Sequence, residues 1–423
     1  MHFTSGEDPR RGYVDVAIIG AGPYGLSLAA HLNARKVRYR IFGKAMELWS
    51  TKMPPGMCLK SEGFASSLYE PSGKFTLENY CRREGLEYAR VGYPVPLKTF
   101  LSYALEFQKT YVPSLEEQLV LNVESTAAGF RLQLEDGEVL CARKVVVAVG
   151  IHYYSNLPAG LASLGAEYVS HSSAFGPLDR MRGKRVAILG GGSSAADIAA
   201  LLKGVAADVQ MFVRASSIDL HTPPGPKRTI SDRVFRPSSG IGAGVKIQFY
   251  VHAPQLFRLL PETVRLQKVK KILGPAVTWW VAQQLHGNVP IHLGAQIQST
   301  TVEDGEIVLQ WTDGNKQETQ RFDHIIAATG YKVNLQRLGF LSPEIRNSLL
   351  TVESAPRLSS RFESSIPHLY FVGISAANTF GPMLRFAFGA RFAARTLSGH
   401  LARVTRTTKE ASDELVEAFG SRR

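Results

Sequence analysis

At 423 residues the chain is too long for one ordinary domain, and its 44% hydrophobic and 20% charged residues exclude a disordered or low-complexity protein. No apolar run reaches the roughly 20 residues of a bilayer span, residues 1–11 are polar rather than signal-like, and Cys58, Cys81 and Cys141 form no CxxC pair. A cytoplasmic chain is expected, with no membrane span, disulfide framework or metal site. The formal charge of +13 is scattered, apart from clusters such as 226–228 and 268–271, and no nucleic-acid-binding signature accompanies it.

The β-branched run 14–19 predicts a buried strand that ends in Gly20-Ala21-Gly22-Pro23-Tyr24-Gly25 and passes into a helix over 26–34; a second strand over 37–42 closes a parallel βαβ unit. The mixed segment 49–113, with a helix over 98–109, lies beyond what a simple doubly wound domain needs. Strands are expected over 119–123, 130–134 and 144–148. The pattern then restarts: strand 184–189, turn Gly190-Gly191-Gly192-Ser193-Ser194-Ala195, helix 196–203 and strand 208–213. Breaker-rich stretches at 222–226 and 237–244 read as a long connection before a helical region, 254–284. A strand pair, the run 323–331 and a last strand 369–372 ending at Gly373 follow, and 405–423 reads as a loosely attached helix or a disordered tail.

Each glycine turn has chemistry that fits its residues. In a βαβ unit the first glycine permits the tight turn, the second lets the backbone approach a pyrophosphate, and the third lets helix and strand pack closely. Gly20, Gly22 and Gly25 fill all three places, and the helix they open offers free N–H groups and a positive dipole end to phosphate. The second turn keeps Gly190 and Gly192 and puts Ala195 third, which close packing tolerates. Arg214 follows its second strand, where an arginine suits the 2′-phosphate of NADPH. The usual ribose-binding acid after the first unit's second strand is absent: Gly43 stands there, with Glu47 one turn later.

These residues resemble the class B flavoprotein monooxygenases and their N-hydroxylating relatives, within the two-dinucleotide-binding flavoproteins. The likeness spans nearly the whole chain and rests on Gly20 to Gly25, on Gly190 to Ala195 followed by Asp197, on Arg214, and on Ala328-Thr329-Gly330-Tyr331 preceded by Asp323. It implies an α/β architecture of two Rossmann-like domains, the NADPH domain inserted into the FAD domain. The expected boundaries are 12–155 and 322–404 for the two FAD parts, 156–321 for the NADPH domain with a helical insertion, and 405–423 for a tail. The resemblance also assigns Pro23, Tyr24, Trp49, Met53, Ser61, Gly373, Ser193, Ser194, Thr329, Gly330 and Tyr331 to the cofactor sites. Trp49 and the 53–61 segment are similar to the stretch that packs along the flavin, and 171–173 to the family's histidine element. Of the Baeyer–Villiger fingerprint only His171 and Phe175 are in register, which lowers the case for ketone oxygenation. Ile374 stands where many relatives carry an acid after Gly373, leaving Asn378, a backbone group or a helix opening near Gly381-Pro382 to meet the flavin.

Resemblance therefore implies an FAD-dependent, NADPH-using monooxygenase that oxygenates nitrogen or sulfur of a small molecule through a C4a-(hydro)peroxyflavin. No acid–base pair emerges from the residues. His171, Asn378 and Arg385 are the catalytic candidates, and Lys60 is a further cation that could face an anion. A flavin reductase or oxidase without a redox-active disulfide, and a non-catalytic redox sensor, stay open. The expected partners are a small-molecule substrate and molecular oxygen, with a homo-oligomer compatible and nucleic acid not expected.

Overall fold

The computed structural model describes residues 13–420 except 175, 221–237, 273–275 and 315. Phe175, the basic residues 226–228 and the breaker-rich stretch 222–226 lie outside the described residues.

Two five-stranded parallel sheets organise the chain. In the first, the strands run Leu369–Phe371, Val145–Val147, Val16–Ile19, Tyr39–Phe42, Leu115–Glu116 across the sheet, with Ile18 level with Val146 on one side and Ile41 on the other. In the second, the order is Ile291–Leu293, Asp208–Val213, Arg185–Leu189, His324–Ala327, Val169–His171, with Ile188 level with Met211 and Ile326. The central strands read VAII, VVV, RVAIL and HIIA because a parallel sheet covered on both faces has no solvent side to call for alternation. Each sheet has its glycine turn and helix after the central strand: Pro23–Ala34 in the first and Ser193–Leu202 in the second. The architecture is two Rossmann-like domains, the second interrupting the first.

The strand His324–Ala327 corrects the domain boundary expected at 322. All four of its residues are buried and it hydrogen-bonds between two strands of the second sheet, so the chain returns to the first domain only after Gly330. The strand pair expected before it is a three-stranded antiparallel sheet, Gln296–Glu303, Glu306–Asp313 and Lys316–Phe322. The helical region is in pieces: Val245–His252, Pro254–Phe257, Glu262–Lys271 and Trp279–Leu285. Pro254 is the first residue of one helix and Pro261 the N-cap of the next, since proline suits a helix start and ends whatever precedes it. Although this insertion lies within the second domain's sequence, Tyr250, Val251, Phe257 and Val269 join the apolar core of the first.

The tail expected from 405 is no separate element. One helix, Ala390–Gly420, runs through it and packs on Pro23–Ala34. Leu397, Leu401 and Thr405 are buried, Arg35 Nε donates to Ser398 Oγ at 3.2 Å, and the buried Lys144 ammonium donates to Thr405 Oγ1 at 3.3 Å. No helix among the described residues is long and apolar enough to cross a membrane.

Candidate functional site

The two glycine turns are built alike, and both are shaped for something other than protein. Gly20 has φ +111°, and a Cβ there would collide with the carbonyl oxygen of Ala148; a Cβ on Gly25 would collide with the carbonyl oxygen of Gly20. These two positions must be glycine for the turn and helix to meet. Gly22 is different: a Cβ built on it meets nothing within 4 Å, and its φ of −86° suits any residue. Its side faces an open cradle. Gly22 is also the N-cap of Pro23–Ala34, with no side chain capping the helix, so the first-turn N–H groups are turned to that cradle and fit a pyrophosphate.

The second turn repeats this. A Cβ on Gly190 would collide with the carbonyl oxygen of Ala328, as Gly20 does with Ala148, and one on Gly191 would lie 2.6 Å from Val213 Cγ1. Gly192 is the N-cap of Ser193–Leu202 without a side-chain cap, and Ala195 is fully buried against the sheet. Arg214 follows directly on Asp208–Val213, exposed, with no hydrogen bond or ion pair among the described residues. Ser194 is exposed in the helix's first turn. This set fits a dinucleotide phosphate group with a cation at the strand end for a second one.

The expected flavin-side residues are placed as follows. Tyr24 lies with its hydroxyl 3.0 Å from Leu384 O and 2.8 Å from Phe386 O, its ring 3.5 Å from where a Cβ on Gly373 would sit. Burial lifts its phenol well above 10, so it stays a neutral donor and ties the first turn to the chain's return. Trp49 stands edge-on to Phe100 at 4.9 Å, in the short helix Leu48–Lys52. Ser61 Oγ pairs with Ser66 Oγ at 2.8 Å, and Met53 follows the Leu48–Lys52 turn, half-buried. Gly43 has φ +121°, a backbone conformation that L side chains rarely adopt, so the absent acid has a backbone reason; its would-be Cβ, 3.5 Å from Ala21 N, makes only an ordinary contact.

Thr329, Gly330 and Tyr331 form one of two linkers that cross side by side between the domains. Asn156 N donates to Gly330 O at 2.9 Å, Lys332 N to Tyr154 O at 2.8 Å, and the Thr329 hydroxyl to Asn156 O. His171 braces the crossing. Its Nε2 donates to Gly330 O at 3.0 Å, its Nδ1 accepts from Ser173 N at 3.2 Å, and its ring meets Tyr331 at 5.2 Å. Burial lowers its pKa, in keeping with a neutral ring whose two nitrogens are both committed. The other catalytic candidates are likewise occupied. Asn378 Nδ2 donates to Val352 O at 3.2 Å, and Arg385 reaches Val269 O and Ile272 O at 3.3 and 3.4 Å, at the end of Glu262–Lys271. The helix expected to open at Gly381-Pro382 is a single 3₁₀ turn, Pro382–Arg385. Asp323 accepts from Arg185 N at 2.7 Å and from its guanidinium, pinning two strand starts together.

One contact has no signal in the sequence. Lys60, from the 53–61 segment, forms an ion pair with Asp197 of the second glycine helix, and its ammonium lies 5.8 Å from the Trp280 ring. Gly56 approaches Leu201 on the same helix. The segment therefore lies against the second domain. Asp197 is 5% exposed, and burial raises its carboxyl above the ordinary 3.8 despite the lysine.

Comparison with known proteins places this geometry. The sequence profile of the L-lysine 6-monooxygenase/L-ornithine 5-monooxygenase family matches residues 12–223, half of the chain. The chain belongs to that family. Its fold is also that of the reduced ornithine hydroxylase from Pseudomonas aeruginosa, with a TM-score of 0.73 and 18% identity over 92% of this chain and 99% of that one. The bacillithiol disulfide reductase from Staphylococcus aureus shares it at a TM-score of 0.64 and 16% identity, over 92% and 98% of the two chains. In sequence, a ferredoxin–NADP reductase from Granulibacter bethesdensis is 30% identical over 210 residues, 49% of this chain and 53% of that protein. The chain spans about half the length of the curated relatives it matches.

Proposed function

We propose that this family member is an FAD-dependent, NADPH-using monooxygenase acting in the cytoplasm on the nitrogen or sulfur of a small molecule. The observation that carries the reading is the pair of uncapped glycine-turn helices, one facing an open cradle at Gly22 and the other followed by Arg214, which has no ion-pair partner among the described residues, within a lysine and ornithine monooxygenase family. Bound in the first cradle, FAD would supply electron transfer from the nicotinamide to oxygen. The chain's own residues do the holding. The N–H groups after Gly22 take the pyrophosphate, those after Gly192 the coenzyme phosphates, and Arg214 the 2′-phosphate. The crossing at 154–156 and 330–332 sets the two domains against each other, and the half-buried Tyr24, which stays neutral, keeps the first turn in register with 373–389.

The half-length likeness to ferredoxin–NADP reductase favours a second reading, a carrier reductase on the same scaffold. One experiment separates them. NADPH oxidation is followed with ¹⁸O₂ over a panel of amines, amino acids and thioethers, while hydrogen peroxide is measured in parallel. The monooxygenase reading expects one labelled oxygen in a product and less peroxide when that substrate is present. Fast NADPH oxidation that reduces an added carrier, with no label in any product, establishes the reductase instead.

A further inference from the structure

A cavity among the described residues lies away from both glycine turns. It has a volume of about 680 Å³ and lies between the far end of Pro23–Ala34, the loop before Leu77–Glu84, the start of Ala390–Gly420 and the Val245–His252 region. Its lining includes no residue of either glycine turn, of 53–61 or of 373–385.

Its floor is aromatic, and its rim is cationic. Tyr69 and Phe388 meet edge to face at 6.4 Å, and Phe64 and Phe75 extend that surface. Around it stand the exposed guanidiniums of Arg35, Arg90, Arg391 and Arg395. The two carboxylates present do not balance them. Glu70 is buried and spent on its own loop, accepting from the N–H groups of Lys74 and Phe75 at 2.6 and 3.0 Å and from Ser72 Oγ at 2.8 Å. Glu78 is paired to Arg90 at 3.0 Å and to Arg82 at 3.3 Å. Arg35, Arg391 and Arg395 have no carboxylate partner among the described residues. Arg391 lies 6.0 Å from the Tyr69 ring centre, over the floor itself. Arg391 and Arg395 are four apart on one helix face, and Arg35 closes in from the helix packed against it, an arrangement of like charges that costs stability until an anion is present.

We propose that this cavity is a binding site for a flat organic anion, an aromatic body lying on Tyr69 and Phe388 with a carboxylate or phosphate held by Arg391, Arg395 and Arg35. The volume falls within the range of small-molecule sites, and guanidiniums grip such anions through paired, charge-assisted hydrogen bonds. The site stands apart from the cofactor cradles, so the proposal holds whichever redox reaction the chain performs.

The test uses purified full-length protein and isothermal titration with 2-naphthoate and with its neutral isostere 2-naphthamide. The acid should bind about tenfold or more tightly than the amide, and the Arg391→Ala/Arg395→Ala double variant should lose that margin. Arg35→Gln should weaken the acid in the same direction, which keeps the test sound if the double variant proves unstable. Arg131→Ala, which removes an equal charge from a distant sheet where Arg131 pairs with Glu124, should bind the acid as the parent does. Equal binding of acid and amide, no binding of either up to millimolar concentration, or an unchanged affinity in the Arg391 and Arg395 variant each overturns the proposal.

Discussion

Replacing Gly22 by alanine separates cofactor binding from folding. In the protein alone the new methyl meets nothing within 4 Å, and the backbone angle already suits alanine. Two small effects on the apoprotein oppose one another: alanine is a poorer N-cap than glycine, yet it lowers the entropy of the unfolded chain by an amount worth about 0.4–1 kcal/mol. The net change is within about 1 kcal/mol. For the holoprotein the methyl stands where the pyrophosphate approaches the backbone, and losing one charge-assisted contact there costs about 1.5–3 kcal/mol, ten- to a hundredfold in FAD affinity. FAD at a hundred times its dissociation constant stabilises the parent by about 2.7 kcal/mol, roughly 5–10 °C in melting temperature for a domain of this size, and at the same concentration about half or more of that shift should vanish in the variant. Gly25→Ala should behave oppositely, failing to fold with or without FAD, because its Cβ collides with the Gly20 carbonyl oxygen. The assay is thermal unfolding of apoprotein with and without FAD, alongside the FAD content of the purified protein. A Gly22→Ala protein that holds stoichiometric FAD and keeps the full shift refutes the cradle assignment.

Arg214→Ala should raise the Michaelis constant for NADPH about ten- to a hundredfold while leaving NADH nearly untouched; equal losses for both coenzymes would make the arginine structural. Lys60→Met strands the Asp197 carboxylate and should cost about 1–3 kcal/mol near neutral pH, less than a fully buried pair because Lys60 is partly exposed. Asp197 already titrates above its unfolded value, so its contribution to stability is complete below 3.8 and is lost as pH rises through the folded pKa. Removing Lys60 raises that folded pKa further, so the variant's deficit, read from urea midpoints at pH 8 and pH 5, should shrink at the lower pH; a constant deficit would show that Asp197 carries no charge. His171→Leu should lower the melting temperature, since Gly330 O and Ser173 N lose their partner at a cost of about 1–3 kcal/mol, yet leave the pH profile of NADPH oxidation unchanged. A profile that loses its limb near neutrality would instead make His171 a proton carrier.

Much of the scaffold was legible in the chain alone. The apolar runs 16–19, 145–147, 185–189 and 324–327 announce buried parallel strands because such strands need no solvent face, and the glycine spacings announce turns because those backbone approaches exclude a Cβ. Local sequence could do this because each requirement is met within a few residues. What depends on distant partners was not legible. A strand's composition does not say which sheet it joins: the boundary expected at 322 puts 324–327 in the first domain, whereas it pairs with Arg185–Leu189 and Val169–His171 of the second sheet. The helical insertion belongs by sequence to the second domain and by packing to the first, because burial is decided by which apolar face it meets. His171, Asn378 and Arg385 have the chemistry of catalytic groups, and only the fold reveals that each is held by backbone carbonyls or amides. The Lys60–Asp197 pair joins residues 137 positions apart, and the arginines that rim the 680 Å³ cavity come from three separate stretches of chain. Charge and hydrogen bonding act through space, and no periodicity along the chain encodes which side chains the tertiary structure will bring within their range.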